Sequence, residues 1–157
     1  MVLGVRWTVM MVALMGLFNP ARAQSPPNKF VTCSEAEARH AEKEAVTLRT
    51  WDALYHSYQA YRQCDDGSVG EGYSESVGRI LVDHWQTLPS LDEIDSRDVS
   101  FQRFVIRHVD ATLDLGNLKR IFQNANTRCP AAWKGICGEL AKRADDAIRE
   151  DAALGIH

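Results

Sequence analysis

The sequence predicts an all-α fold, a single compact bundle of five to six helices stapled by two disulfides. Three observations carry this. Apolar residues recur every three or four positions in segment after segment, and no stretch sustains the two-residue alternation of a strand. The 157 residues, 45% hydrophobic and 25% charged, supply one core and not two. Four cysteines, an even number, fall outside the N-terminal segment.

The first 23 residues read as a secretory signal peptide. Arg6 precedes an apolar run from Trp7 to Phe18, shorter than the ~20 residues that span a bilayer. Asn19-Pro20 breaks it, and Ala21-Arg22-Ala23 supplies an A-x-A cleavage pattern. Residues 24–33, with Pro26-Pro27, read as a flexible leader, and residues 34–157 as the helical domain. No later apolar run has membrane length. The expectation is a periplasmic or secreted protein with no transmembrane segment after cleavage.

Ser34 and Glu37 form a capping-box pattern that opens the first helix. The stripe Ala41, Ala45, Leu48, Trp51, Tyr55 and Tyr58 carries it without interruption to about Gln63. Cys64 to Gly72, with three glycines in six residues, reads as a loop. A second helix is predicted from Tyr73 to Gln86, with Tyr73, Val77, Ile80, Leu81 and His84 on one face and Leu88-Pro89 ending it. Ser90 with Glu93 suggests a short helix to about Ser96. Asp98 caps a helix with Phe101, Phe104, Val105 and His108 in register. Asp114 to Asn117 is the entry to the next, which carries Leu118, Ile121, Phe122 and Ala125. The last helix follows Pro130, with Trp133, Ile136, Cys137, Leu140, Ala141, Ala144 and Ile148 on one side; proline is tolerated best at a first turn.

Cys33, Cys64, Cys129 and Cys137 in an exported chain point to two disulfides, with three possible pairings. An unbroken helix over 34–63 is about 45 Å long at ~1.5 Å per residue, too long for its ends to meet across one bond. Cys33–Cys64 therefore requires a break that no Gly or Pro marks; otherwise Cys64 pairs with a C-terminal cysteine. Cys129–Cys137 requires that residues 130–135 not be a straight helix. The spacings match no zinc-ligand pair.

Charge excludes one class of function. Without Arg6 and Arg22 the chain holds 16 Lys and Arg against 21 Asp and Glu, a net charge of −5, which disfavours nucleic-acid binding. No catalytic motif stands out. Gly72-Tyr73-Ser74-Glu75-Ser76 lacks the final glycine of a nucleophile elbow. His108-Val109-Asp110 could orient an imidazole, but no nucleophile is placed beside it in sequence. His84 and His108 read as core-edge histidines, and the acids Asp65, Asp66 and Glu71 fit no calcium loop. The expectation is no catalytic residue, no metal and no cofactor. The feature that reads as a site is the acidic segment around residue 65, flanked by aromatic residues. Asp65, Asp66, Glu71, Tyr73 and Tyr61 are its candidate partner-binding residues, because tyrosines beside charges make good protein contacts. Self-association stays open.

Export, size, helical class, few cysteines and no catalytic motif together resemble the periplasmic immunity proteins that guard against type VI secretion amidase toxins. Cys64-Asp65-Asp66-Gly67, Tyr73 with Val77, Trp85, Phe101 to Asp110, and Cys129-Pro130 with Cys137 resemble an uncharacterised family of small exported bacterial proteins, over roughly residues 48–140. The first resemblance implies a non-catalytic inhibitor of a cell-wall-degrading toxin; no inhibitory residue carries over, because no motif aligns. An accessory or chaperone-like envelope protein and a small cell-wall or lipid hydrolase are the alternatives.

Overall fold

Ser34 opens the first helix as its capping box predicts: its hydroxyl accepts from the Glu37 amide, and the Glu37 carboxylate accepts from the Ser34 amide. The computed structural model describes residues 32–155. The predicted signal peptide and all but the end of the leader lie outside them. Among the described residues there are seven α-helices and no strand: α1 (Glu35–Ala45), α2 (Trp51–Tyr61), α3 (Gly67–Asp83), α4 (Leu88–Asp95), α5 (Val99–Arg107), α6 (Leu115–Thr127) and α7 (Lys134–Leu154). Short 3₁₀ turns at Arg62–Cys64, Trp85–Thr87 and Ala131–Trp133 link them. The all-α class stands, with one or two helices more than expected. No described helix is long and apolar enough to cross a membrane.

The extra count comes first from the segment expected to be one helix over 34–63, which is interrupted between Ala45 and Trp51. Neither Gly nor Pro makes the break. Thr50 caps α2, its hydroxyl accepting from the Ala53 amide. The Thr47 hydroxyl donates to the Glu44 carbonyl. The carbonyls of Val46 and Leu48, freed by the interruption, accept from two guanidinium groups, those of Arg49 and Arg79, at 3.0–3.3 Å. The fold-back brings Cys33 and Cys64 to a Cα separation of 4.9 Å, and they form a disulfide. Cys129 pairs with Cys137 across the α6–α7 turn. The alternative pairing of Cys64 with a C-terminal cysteine is overturned.

The second correction concerns residues 64–72. Only Cys64 to Asp66 is a turn, and α3 begins at Gly67, six residues before Tyr73. Gly67 sits at φ +51°, a left-handed conformation that suits glycine. Gly72 serves close packing: a Cβ there would lie 3.0 Å from the Ala45 Cβ and 3.1 Å from Val46 Cγ1. The Ser76 hydroxyl, one turn on, donates to the Ala45 carbonyl. Small residues thus let α1 lie directly on α3. Leu88-Pro89 opens α4 instead of ending α3, with proline in the first turn, and Ser90 lies inside that helix instead of capping it. Asp98 and Asp114 cap α5 and α6 as expected.

α3 is the central helix. Tyr73, Val77, Ile80 and Leu81 are fully buried, joined by Leu54 from α2, Phe101, Phe104 and Val105 from α5, Leu118 and Ile121 from α6, and Leu140 and Ala144 from α7. α6 and α7 form the most extensive helix pair, and α3 packs on both α1 and α6. Phe122, expected on the buried face of α6, is exposed.

Candidate functional site

The start of α3 and the end of α5 meet through charged and hydroxyl side chains. The 3₁₀ turn ending at Cys64 is tied to Cys33, which fixes where Asp65 leaves it. Asp65 turns inward, its side chain only 6% exposed, against the equally buried His108 that closes α5. His108 Nε2 lies 3.2 Å from Asp65 Oδ1. Arg107, mostly exposed, pairs with the other oxygen of the same carboxylate. On the far side of the ring, His108 Nδ1 lies 3.0 Å from Ser74 Oγ, and the Ser74 hydroxyl donates to Asp110 Oδ2 at 2.9 Å. Asp110 Oδ1 accepts from the Thr112 amide and hydroxyl.

Hydrogen counting decides what this network does. Ser74 has a single hydroxyl hydrogen, and ionised Asp110 can only accept. With that hydrogen on Asp110, Ser74 Oγ accepts from His108 Nδ1–H, and the facing Asp65 carboxylate requires a hydrogen on Nε2 as well. All contacts are satisfied together when both ring nitrogens carry hydrogen. The cluster joins two carboxylates, a guanidinium and the imidazole ring in one hydrogen-bonded chain. Burial pushes the Asp65 carboxyl up, but the hydrogen bond and charge of His108 and the charge of Arg107 outweigh it and hold Asp65 below the usual carboxylate range.

Ser74, His108 and Asp65 also lie in the order of a nucleophile, a base and an orienting acid. In this geometry, however, the Ser74 hydroxyl donates to Asp110 and not to His108, and Ser74 is 1% exposed. The arrangement as it stands is an ion-paired clasp between α3 and α5.

Around the clasp lie three adjoining hollows of about 330, 720 and 470 Å³. Glu71 and Thr112 line the first two, Glu42 and Ser68 the last two, and Asp66 and Gly67 the first and third. Their walls carry Glu35, Glu42, Asp65, Asp66, Glu71, Glu75 and Asp110 against the basic Arg39, Arg107 and His108. Ion pairs neutralise Asp65, Glu35 and Glu75, while Asp110 accepts hydrogen bonds from Ser74 and Thr112. Glu42, Asp66 and Glu71 are exposed and in no ion pair among the described residues, so this face is net negative.

The candidate residues separate accordingly. Asp66 and Glu71 lie on this surface, Asp66 also capping α3. Asp65 lines the same hollow but is committed to His108 and Arg107. Tyr73 is fully buried, its hydroxyl 3.0 Å from that of Ser57, and burial pushes the phenol up to about 12. Its ring packs on Phe104 at 5.1 Å, so it has no free face for a partner. Tyr61 is half-buried beside the His40 ring and lines none of the three hollows. His84 ends α3, ten residues beyond Ser74 and so ~15 Å along the helix axis, and makes no pair with His108. The sequence reading missed Ser74, Arg107 and Thr112. The signal for Ser74 lay in its spacing from Asp66, two helical turns along one face, which a loop assignment for 64–72 concealed. Among the described residues no group of three or more His, Cys, Asp or Glu converges as a metal site.

Comparison of the chain with protein-family models, with curated proteins and with solved structures finds no match. The site is therefore read on its own chemistry. Two disulfides and the lack of a spanning helix among the described residues are compatible with a secreted or periplasmic protein.

Proposed function

We propose that this chain is an exported, non-catalytic binding domain that engages a basic protein partner, in the manner of an immunity or inhibitor protein directed at a cell-wall-degrading toxin. One observation carries the reading: Glu42, Asp66 and Glu71 stand uncompensated on the walls of three adjoining hollows, on a frame fixed by the Cys33–Cys64 disulfide and the Asp65–His108 clasp. A rigid negative surface speeds encounter with a cationic partner and loses little entropy on binding.

The test is capture of the oxidised chain's partners from an envelope extract, repeated with the double variant Glu42→Lys/Glu71→Lys. Both side chains are exposed and in no ion pair among the described residues, so the variant is expected to keep the fold. The reading expects one stoichiometric wall hydrolase or toxin, lost with the double variant and weakened by salt. Capture indifferent to both substitutions, or no specific partner, defeats it.

A second reading, a small hydrolase, has one observation in its favour, the Ser74–His108–Asp65 alignment. It requires Ser74 to be uncovered and His108 to act as a base. Fluorophosphonate labelling of Ser74 and turnover of peptidoglycan or lipid, both abolished by Ser74→Ala, would establish it.

A further inference from the structure

The two disulfides sit in opposite electrostatic surroundings. Each joins a half-buried cysteine to a buried one, Cys33 to Cys64 and Cys129 to Cys137. Cys33 and Cys64 line the acidic hollow of about 470 Å³, whose walls bring Glu35, Glu42 and Asp66 against Arg39, itself paired with Glu35. Cys129 and Cys137 line a further hollow, of about 310 Å³, beside α6 and α7. Among the described residues Lys134, which is exposed, is the one charged group of that lining. Cys137 closes the first turn of α7, where no side chain caps the helix and no acid stands. Both the positive end of a helix and a nearby lysine stabilise a thiolate. The chain between these two cysteines is held at its ends. The Trp85 indole N–H donates to the Arg128 carbonyl at 3.0 Å, and Ile136 is buried in the core. Between these anchors Ala131, Ala132, Lys134 and Gly135 are exposed.

We propose that Cys129–Cys137 is a thiol-exchange site, opened by an external dithiol while Cys33–Cys64 stays intact. The dithiol's thiolate attacks Cys129 Sγ, on the half-buried side of the bond. As the new S–S bond forms, the Cys129–Cys137 bond breaks, and its electron pair leaves on Cys137 Sγ. Lys134 attracts the incoming anion, and the first turn of α7 stabilises the departing one. The reagent's second thiolate then displaces Cys129. The reagent departs as a disulfide, and its two electrons and two protons end on Cys129 and Cys137. The acids around Cys33–Cys64 repel the same attacker. Because Arg128 and Ile136 stay anchored, opening frees the connecting turn and leaves the helical core in place. The exchange site is independent of the acidic-face reading, and either can fail without the other.

The experiment treats the full, folded, oxidised chain with dithiothreitol, traps free thiols with N-ethylmaleimide and assigns them by peptide mass spectrometry. Cys129–Cys137 is expected to open about tenfold faster than Cys33–Cys64, since one hollow attracts the thiolate and the other repels it. Circular dichroism should stay helical meanwhile. Glutathione, a monothiol, should be trapped as a mixed disulfide on Cys129 and not on Cys137. Lys134→Glu places an acid at a helix start, which suits the fold. It should slow anionic glutathione about fivefold relative to cysteamine, whose ammonium offsets its thiolate. Equal rates at the two disulfides, or Cys33–Cys64 opening first, overturn the proposal. So does a glutathione adduct on Cys137, a glutathione-to-cysteamine ratio that Lys134→Glu leaves unchanged, or opening that comes only with loss of the helical signal.

Discussion

Replacing Asp65 by Asn tests whether the clasp holds the fold. The carboxylate is 6% exposed and faces His108, 5% exposed, at 3.2 Å, whereas Arg107 on its other side is 59% exposed. A unit pair at such a distance attracts by about 4 kcal/mol at an effective dielectric near 20, but both groups have lost hydration. Removing one partner of a buried pair costs about 3–5 kcal/mol, because the other is left uncompensated; the exposed Arg107 pair adds less than about 1 kcal/mol. Asn keeps an acceptor in place, so about 3 kcal/mol is expected, or a fall in Tm of roughly 10 °C for a chain this size. The assay is urea and thermal unfolding followed by circular dichroism, from neutral pH into acid. The folded state holds the Asp65 carboxyl below its ordinary 3.8. Its stabilisation is therefore complete above that value and is lost as pH falls through the lower, folded one. The gap between wild type and Asp65→Asn should stay level from neutral pH to about 4 and close below it. A gap under about 0.5 kcal/mol at neutral pH, the range of ordinary surface changes, would refute the clasp. One that closes well above pH 5 would assign the stabilisation to another group.

Further outcomes follow from particular contacts. A Cβ on Gly78 would lie 2.6 Å from Leu113 Cδ2, so Gly78→Ala should destabilise by about 1–3 kcal/mol despite alanine's higher helix propensity, whereas Gly138→Ala on α7, with open space around it, should gain about 0.5–1 kcal/mol; denaturant midpoints of the two must move in opposite directions. Removing Cys33–Cys64 should cost about 3.7 kcal/mol and removing Cys129–Cys137 about 2.5 kcal/mol, from loops of 31 and 8 residues on the chain-entropy account, and melting of Cys33→Ser/Cys64→Ser against Cys129→Ser/Cys137→Ser measures the order. Asp95 has a buried oxygen without a hydrogen-bond partner among the described residues, and burial together with Asp92 and Asp98 raises its carboxyl. Asp95→Asn should therefore stabilise at neutral pH, with a gain that shrinks as pH falls through the raised value and Asp95 itself protonates. In an alkaline ultraviolet titration, one tyrosine should ionise near 12 and disappear from the curve in Tyr73→Phe.

Much of the fold was legible because burial imposes periodicity. The stripes Tyr73–Val77–Ile80–Leu81 and Phe101–Phe104–Val105 point inward as their spacing requires, and the caps at Ser34, Asp98 and Asp114 sit where a short polar side chain can reach a free amide. The interruption at residues 46–50 was not legible. Its stripe of apolar residues runs straight through, and the carbonyls it frees are satisfied by Arg79, remote in sequence, as well as by Arg49. A local reading sees no breaker, because part of what stabilises the break arrives from α3.

The candidate site failed to show itself for a related reason. Glycines at 67, 70 and 72 announce a loop when read locally, yet Gly70 and Gly72 lie inside α3, and Gly72 is where α1 presses against it. Once residues 67–74 are helical, Asp66 and Ser74 fall two turns apart along the same side, and Ser74 can reach the end of α5. Asp65 then cannot serve as a free surface charge. Its partners hold the start of α3 in place, and the exposed charge of the face rests on its neighbours Asp66 and Glu71 and on Glu42 across the groove. An Asp65→Lys substitution would therefore disturb folding before it reported on binding, while Glu42→Lys/Glu71→Lys reports on binding alone.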